Sequence, residues 1–202
     1  MSRLTRRFFE DTAPSVARAI LGAVLVRVVG GRRLSGRIVE AEAYRGSGDP
    51  ASHAFRGRTM RNSVMFGEPG HAYLYFTYGN HWCLNLTTEP LGRPAAVLLR
   101  ALEPLEGLGT MMKNRGVDDE RQVTNGPGKL TKALGIGGEF NGEDVVSSER
   151  LFLEEGLSGL RIGRSSRVGI TTGTERPWRF FVMGNRFVSG GRPASIAPRS
   201  HK

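Results

Sequence analysis

Five apolar runs of strand length, separated by turn-forming residues, fill most of the first half of the chain. The runs cover residues 23–29, 34–44, 71–78, 82–88 and 95–102. Gly30-Gly31 and Gly79-Asn80 each separate two consecutive runs, as the turns of β-hairpins do. Strands that follow one another with such short connections pair antiparallel. The order of elements therefore predicts an α+β fold with a mainly antiparallel sheet.

Helical patterns are fewer. Thr12 before an early Pro14 predicts a helix that ends at Gly22, and further helices are predicted at 104–115 and 127–134. No repeat or linker divides the chain, so we expect one domain over residues 1–188. Residues 189–202 are rich in Gly, Pro, Ser and Arg, which predicts a flexible basic tail. Short strands are predicted at 151–153, 160–162, 179–183 and 186–188.

The charge balance indicates a polyanionic partner. The formal net charge is +10, and only four of the 29 basic residues are lysines. Arginine binds phosphate in a bidentate manner, so a nucleic acid is a natural partner. An arginine bias can also arise from genome base composition. Charge by itself therefore favours nucleic-acid binding but names no reaction.

The N-terminus and the cysteine usage restrict the class of protein. No stretch approaches the roughly 18 consecutive apolar residues of a membrane helix, and no apolar region follows the basic N-terminus. We therefore expect an unprocessed, cytoplasmic protein. The single cysteine, Cys83, excludes an internal disulfide framework and a cysteine-rich zinc site. Its apolar neighbours, Trp82 and Leu84, indicate a buried hydrophobic residue and not a nucleophile.

The segment from Val39 to Tyr44 carries the candidate chemistry. Strand geometry places Ile38, Glu40, Glu42 and Tyr44 on one face and the alternating small residues on the other. Carboxylates that alternate with alanines can also form a solvated sheet edge. The residues that follow favour a pocket, because all four tyrosines of the chain lie between positions 44 and 78. The polar and aromatic residues nearby are His53, Tyr73, Tyr75, Tyr78, Asn85 and Arg100.

Two of these features point to a pocket that could hold a nucleobase. Alternation along the run 71–78 places Tyr73 and Tyr75 on one face, with Phe76 expected in the core. A basic protein with tyrosines and a histidine beside carboxylates has the components of a base-stacking pocket. Arg100 interrupts an apolar run, so it needs a buried partner, for which Glu42 is a candidate. A purely structural ion pair would explain Arg100 equally well.

Two classes of nucleic-acid enzyme fit poorly. Residues 129–138 weakly resemble the hairpin of helix-hairpin-helix proteins, but the strand-rich surroundings do not suit that all-helical fold. Base deaminases need a His/Cys/Cys zinc set, which one cysteine cannot supply. We therefore expect neither a helix-hairpin-helix fold nor a metal site.

Five groups of residues occur in the same order as in a known family and span most of the chain. They are 38–44, Met65-Phe66 with Pro69-Gly70, 73–79, 98–107, and Asn125-Gly126-Pro127 with Lys129-Leu130. Together they resemble the alkyladenine (3-methyladenine) DNA glycosylase family. The resemblance implies a single mixed α/β domain around a curved antiparallel sheet. It also implies a base-excision-repair enzyme that flips damaged purines out of duplex DNA and hydrolyses the N-glycosidic bond, without a cofactor.

The resemblance implies roles for residues in the pocket. Glu42 matches the general base that activates the hydrolytic water, and Arg100 matches the side chain that places Glu42 and this water. Asn85 matches the side chain that crowds the exocyclic amine of guanine. The other implied substrate-binding residues are Tyr44 and His53 as walls of the base pocket, Tyr75 as its closing side, and Leu98.

The resemblance also implies a DNA-contacting set outside the pocket. Tyr78 matches the wedge that enters the minor groove and fills the space of the flipped base. Asn80 stands beside it, where a bulkier apolar residue is familiar in the family. The segment from His53 to Arg61 is one residue shorter than in vertebrate members. The remaining DNA-binding residues are Arg58, Thr59 and Arg61.

The expected partner is double-stranded DNA that contains damaged purines, with no membrane and no obligate protein partner, and we expect a monomer. None of the four lysines lies in the pocket stretch, which favours attack by water over Schiff-base chemistry. The alternatives are a non-catalytic protein that stacks nucleobases on its tyrosines and a relative of formyl-transfer enzymes. The latter would need an Asn/His/Asp set, which we cannot place. The lesion preference among 3-methyladenine, 7-methylguanine, hypoxanthine and ethenoadenine stays open.

Overall fold

A long central strand organises the sheet in the computed structural model, which describes residues 2–46, 48–77 and 79–190. This strand, β2, pairs with β5 along one side, while β1 and β8 share its other side. The sheet order is β3-β4-β5-β2-β1-β6, with β8 on β2 and β7 on β8, and all these pairs are antiparallel. The strands are β1 (Val24–Val29), β2 (Arg32–Arg45), β3 (Ala72–Thr77), β4 (His81–Thr88), β5 (Ala95–Glu106), β6 (Leu151–Glu154), β7 (Ile162–Ser165) and β8 (Arg179–Val182).

Short helices cover one face of this curled sheet. Helix α2 packs on β2 and β5, whereas α4 packs on β4 and β5 and against α3. The buried apolar residues of this face and of the helices form one core, which excludes water from the side of the sheet opposite the pocket described below. The predicted α+β fold with a curved antiparallel sheet is therefore confirmed. The helices are α1 (Arg6–Phe9), α2 (Ala13–Ala19), α3 (Leu108–Arg115) and α4 (Pro127–Leu134).

Most predicted elements agree with the structure, and three do not. The helix predicted at 104–115 begins only at Leu108, because β5 continues to Glu106 and pairs there with Ser35. The strand predicted at 160–162 lies later, at Ile162–Ser165. Residues 186–188 form turns instead of a strand, and the Phe187 amide donates to the side chain of Asn185.

A pair of compensating β-bulges lies beside the carboxylates. The register between β2 and β5 shifts between Ile38 and Glu40 and shifts back between Glu40 and Ala41. Each strand thus inserts one extra residue at this point. The prediction that Ile38 shares a face with Glu40 is wrong because of this bulge. Ile38 packs with Ala41 in the helix-covered core, while Glu40 points to the opposite side of the sheet.

The end of the described chain is tied to the same strand. Ser189, where the predicted tail would start, is buried and donates hydrogen bonds from its amide and its hydroxyl to Glu40. Ser189 is therefore fixed, and the predicted flexibility does not hold there. Residues 191–202 lie outside the described residues, so a flexible tail there stays a prediction. None of the helices found among the described residues combines the length and apolar character required to cross a membrane.

Candidate active site

One row of paired residues crosses five neighbouring strands on the sheet face that the helices leave open. Tyr73 on β3 pairs with Asn85 on β4, and Asn85 pairs with Leu98 on β5. Leu98 pairs with Glu42 on β2, and Glu42 with Arg179 on β8. Paired residues of antiparallel strands project to the same face. The sheet register therefore gathers side chains that are more than 100 positions apart in the chain.

A pocket of about 510 Å³ lies over this row. This volume is within the range typical of sites for small organic groups. Cys83, Thr77, His81 and the segment 126–129 also contribute to its lining. The sequence-predicted residues that line it are Tyr44, His53, Arg61, Tyr75, Asn85, Leu98 and Arg100.

Glu42 is fully buried and is not itself a lining residue of the pocket, but it contacts three residues that are. Its Oε2 accepts a hydrogen bond from the Tyr44 hydroxyl at 2.8 Å, and its Oε1 accepts one from the Val168 amide at 2.7 Å. Arg100 Nε lies 3.4 Å from Oε1. Burial raises the pKa of Glu42, although Arg100 and both hydrogen bonds oppose this effect. The result is a carboxylate that is a stronger base than an exposed one, held against the pocket by three lining residues.

Glu40 is the second carboxylate, and its surroundings differ. Its Oε1 accepts from Arg100 Nε at 2.9 Å and from Arg179 Nε at 2.7 Å. Burial disfavours its ionised form, but the two guanidinium groups outweigh this effect and hold the pKa of Glu40 below its usual value. The expected pairing of Arg100 with Glu42 is therefore only part of the arrangement, because Arg100 lies closer to Glu40.

An aromatic cluster forms one wall of the pocket. The rings of His53 and Tyr75 meet edge to face at a centroid distance of 4.5 Å, and His53 Nδ1 lies 2.8 Å from the Tyr73 hydroxyl. The Arg61 guanidinium lies 5.6 Å from the centre of the Tyr75 ring. Desolvation, assisted by Arg61, lowers the pKa of His53, so the imidazole is neutral at pH 7. A neutral, apolar wall of this kind suits a flat heterocycle.

Tyr44 is held from behind by a buried ion pair that the sequence analysis missed. The guanidinium of Arg167 lies 4.6 Å from the centre of the Tyr44 ring and binds both oxygens of Asp49, at 2.6 and 2.7 Å. Both charged side chains are completely buried. Arg167 also donates to the carbonyl of Ala43. No local pattern marks either residue, because each lies in a polar loop segment with no periodic signal.

Asn85 has a fixed orientation in the pocket lining. Its side-chain amide donates to the carbonyl of Tyr73 at 3.1 Å and lies 3.4 Å from the carbonyl of Cys83. Leu98 beside it is buried. An amide that is tied to the backbone in this way cannot rotate freely to suit an incoming group, so it can act as a steric filter.

Of the predicted DNA-contacting residues that the structure describes, Arg61 lines the pocket, whereas Arg58, Thr59 and Asn80 do not. Arg58 and Thr59 are exposed on a loop that the buried Asn62 fixes through its hydrogen bonds to the Thr59 amide and to two loop carbonyls. Asn80 is exposed in the turn between β3 and β4. Tyr78, the predicted wedge, lies outside the described residues. The core position expected for Phe76 is wrong, since this side chain is exposed and contacts Trp82.

The first turn of α4 forms another side of the pocket. Gly128 lies so close to β4 that an added Cβ would be 2.7 Å from the ring of His81. This close approach brings Lys129 into the lining, where its Nζ donates to Asn125 Oδ1 at 2.8 Å. Desolvation lowers the pKa of Lys129. A lysine thus lies at the pocket although none lies in the pocket stretch of the sequence, so the absence of a nearby lysine cannot support attack by water.

Comparison with known proteins agrees with the resemblance seen in the sequence. The sequence profile of the methylpurine-DNA glycosylase family matches residues 7–186. The chain belongs to this family. As a methylpurine-DNA glycosylase family member it is a DNA glycosylase, a DNA-repair enzyme that acts on DNA.

Relatives of this glycosylase occur in several bacteria, and each is named as a 3-methyladenine DNA glycosylase. The protein from Chlorobaculum parvum is 48% identical over 95% of this chain and 93% of its own. The protein from Carboxydothermus hydrogenoformans is 45% identical over 92% of this chain and 98% of its own. The protein from Chlorobium phaeovibrioides is 47% identical over 96% of this chain and 100% of its own. The likeness therefore extends over nearly the whole chain.

Proposed function

We propose that this glycosylase flips alkylated or deaminated purines out of duplex DNA and hydrolyses the N-glycosidic bond with an activated water, leaving an abasic site. The observation that carries the proposal is the buried carboxylate of Glu42, which lies against a pocket of suitable size with aromatic walls. Such a pocket can be reached only by a nucleotide that has left the base stack.

Glu42 would serve in two ways. Cleavage of a nucleoside passes through a state with positive charge on the sugar, which a nearby carboxylate stabilises. The same carboxylate can accept the proton of the attacking water, and its raised pKa makes it a better acceptor. Alkylation at N3 or N7 gives the purine a positive charge and makes it a good leaving group, so a strong general acid is less necessary.

The walls would select the base. Tyr44 and the His53–Tyr75 pair supply stacking surfaces, and a cationic purine stacks on tyrosine more favourably than a neutral one. Asn85 would crowd the exocyclic amine of guanine from its fixed position. Steric filters of this kind reject in a graded manner, so lesions of the adenine type should be released faster than those of the guanine type.

The rim would hold the DNA. Arg58, Thr59, Arg61 and Asn80 are exposed near the pocket wall or in the β3–β4 turn, where they could contact the phosphate backbone. Tyr78 would enter the minor groove and offset part of the cost of unstacking. The net charge of +10 supports tight but salt-sensitive binding of DNA and a location with the nucleoid.

A base-release assay tests the proposed function. Duplexes that carry 3-methyladenine, 7-methylguanine, hypoxanthine or ethenoadenine are each incubated with excess enzyme, and the free base and the abasic sites are quantified. We expect release of at least one adenine-type lesion and no release from undamaged duplex. If the protein binds all duplexes but releases no base, it is a non-catalytic binding protein and the proposal is wrong.

We also propose that the enzyme is monofunctional, with water and no amine as the nucleophile. The proposal is supported by the chemistry of Glu42, since a hydrolysis in which a carboxylate takes the proton of water requires no amine. Lys129 is the lysine of the described pocket lining that an alternative mechanism would use, and its Nζ donates to Asn125 Oδ1. We expect no covalent protein–DNA adduct when lesion duplex and enzyme are treated with borohydride. An adduct that is lost in Lys129→Gln would contradict the proposal and identify the amine. An adduct that persists in Lys129→Gln would also contradict the proposal and would show that a different amine is the nucleophile.

A further inference from the structure

Two carboxylates compete for one guanidinium beneath the pocket. Arg100 Nε lies 2.9 Å from Glu40 Oε1 and 3.4 Å from Glu42 Oε1. The first distance is that of a good charge-assisted hydrogen bond, whereas the second is an ion pair without one. Arg100 therefore pairs more strongly with Glu40, although Glu42 is the carboxylate that accepts hydrogen bonds from the lining residues Tyr44 and Val168.

Glu40 is held in place by more than Arg100. Arg179 on β8 stands opposite Glu42 in the sheet register, yet its side chain donates to Glu40 at 2.7 Å. Ser189 adds its amide to Oε2 at 2.7 Å and its hydroxyl to Oε1 at 2.9 Å. Four donors thus fix a fully buried carboxylate, so its position does not depend on Arg100. Arg100, in contrast, makes its short hydrogen bond to Glu40, and its hydrogen bond to Ser189 Oγ is long, at 3.5 Å.

The β-bulges explain why both carboxylates reach the same guanidinium. The extra residue on β5 is Arg100, which lies between the Glu40–Ala101 and Ala41–Leu99 pairs of the register, so its side chain is within reach of both Glu40 and Glu42. A regular register would leave no inserted residue at this point. The local irregularity of the sheet therefore serves the arrangement of charges around Glu42.

We propose that Glu40 is a positioning residue that draws the Arg100 guanidinium off Glu42 and leaves the Glu42 carboxylate free to accept a proton from water. This inference rests on the proposed role of Glu42 as the base. A carboxylate that pairs fully with arginine is a poor proton acceptor, since the cation stabilises its ionised form. Glu40 prevents this outcome by binding Arg100 and Arg179 itself.

The charged groups around Glu42 determine in which direction each substitution shifts the pKa of Glu42. Removal of the Glu40 charge ends its repulsion of Glu42. It also frees the guanidinium groups of Arg100 and Arg179 to move toward Glu42. Each of these changes favours the ionised form of Glu42. Removal of the Arg179 charge leaves Arg100 as the guanidinium that balances the charge of Glu40. Arg100 is then drawn further from Glu42. The groups that face Glu42 are Glu40 and Tyr44 on β2, Arg100 on β5, Arg179 on β8, Tyr75 and Cys83 on β3 and β4, the Val168 amide, and Arg167 behind Tyr44, whose charge Asp49 balances.

The test is the pH profile of single-turnover base release for Glu40→Gln and Arg179→Gln. The acid limb reports the loss of activity as Glu42 becomes protonated. We expect the limb of Glu40→Gln to move to lower pH by about one unit, and the limb of Arg179→Gln to move in the opposite direction. Glu175→Gln is the matched control, because it makes the same change at an exposed residue outside this cluster, and its limb should not move.

The outcomes separate the inference from the proposed function. If wild-type protein releases no base, or Glu42→Gln releases it normally, the proposed function fails. If those two behave as expected but the limbs of Glu40→Gln and Arg179→Gln coincide with that of the wild type, Glu40 has only a structural role and the inference is overturned. Thermal unfolding verifies that each variant is folded. If Glu40→Gln does not fold, the acid limb of Arg179→Gln by itself tests the inference.

Discussion

We expect Glu42→Gln to lose base release by a factor of about 10² to 10⁴ while still binding lesion duplex within a few fold of the wild type. Glutamine has the shape of glutamate but cannot accept the proton of the attacking water. Its amide can keep both existing hydrogen bonds, with its oxygen toward the Val168 amide and its nitrogen toward the Tyr44 hydroxyl. The fold should therefore survive the substitution.

Single-turnover release of ethenoadenine or hypoxanthine measures this effect, and titration of a labelled duplex measures binding. Glu175→Gln is the matched control, because Glu175 is an exposed surface residue that does not line the pocket. Its release rate should equal that of the wild type. Release by Glu42→Gln at a rate close to that of this control would exclude Glu42 as the base.

We expect Asp49→Ala to destabilise the protein by about 3 to 5 kcal/mol. The substitution leaves the guanidinium of Arg167 buried without its counter-ion, since both side chains are inaccessible to solvent. It also removes the support behind the Tyr44 ring, so base release should fall even under conditions in which the variant is folded. Urea unfolding measures the free-energy change.

A surface ion pair provides the comparison. Glu120 and Arg186 are both substantially exposed, so Glu120→Ala should cost at most about 1 kcal/mol. The double variant Asp49→Ala/Arg167→Met should recover much of the loss, because it removes the unpaired charge and keeps the apolar volume. A cost for Asp49→Ala as small as that for Glu120→Ala would show that the buried pair does not stabilise the fold.

The sequence predicts a helix or strand correctly where the residues at its ends determine where it begins and ends. Helix α4 occupies the predicted range, because Pro127 suits the first helical position and Gly135 adopts the left-handed conformation that ends it, with φ of 62°. The end of β5 was predicted wrongly for the opposite reason. Pro104 resembles a helix start, but pairing of β5 with β2 continues past it and outweighs the local preference.

Part of the pocket could likewise be predicted from sequence. Tyr73 and Tyr75 were predicted to lie on the same face of their strand, and both line the pocket. The prediction succeeded because side chains two positions apart project to the same side of any strand. His53 and Asn85 were found by their closeness in sequence to the carboxylates and tyrosines, and the family resemblance added Leu98. All three line the pocket, and their roles stay proposals. Lys129 was missed because only the packing of α4 against His81 brings it there.

The sequence by itself determined the fold class, the order of strands along the chain, and the presence of two carboxylates near a group of tyrosines. Only the tertiary structure decided which carboxylate bonds to Tyr44 and Val168 of the pocket lining and which one binds the two arginines. Glu40 and Glu42 have identical chemistry and occupy equivalent positions in the strand pattern. The difference arises from a bulge in the register with β5, from β8 and from Ser189, all of which lie far away in the chain. Burial and neighbouring charge, which set the basicity of a carboxylate, are properties of the packed molecule, so no local pattern can carry them.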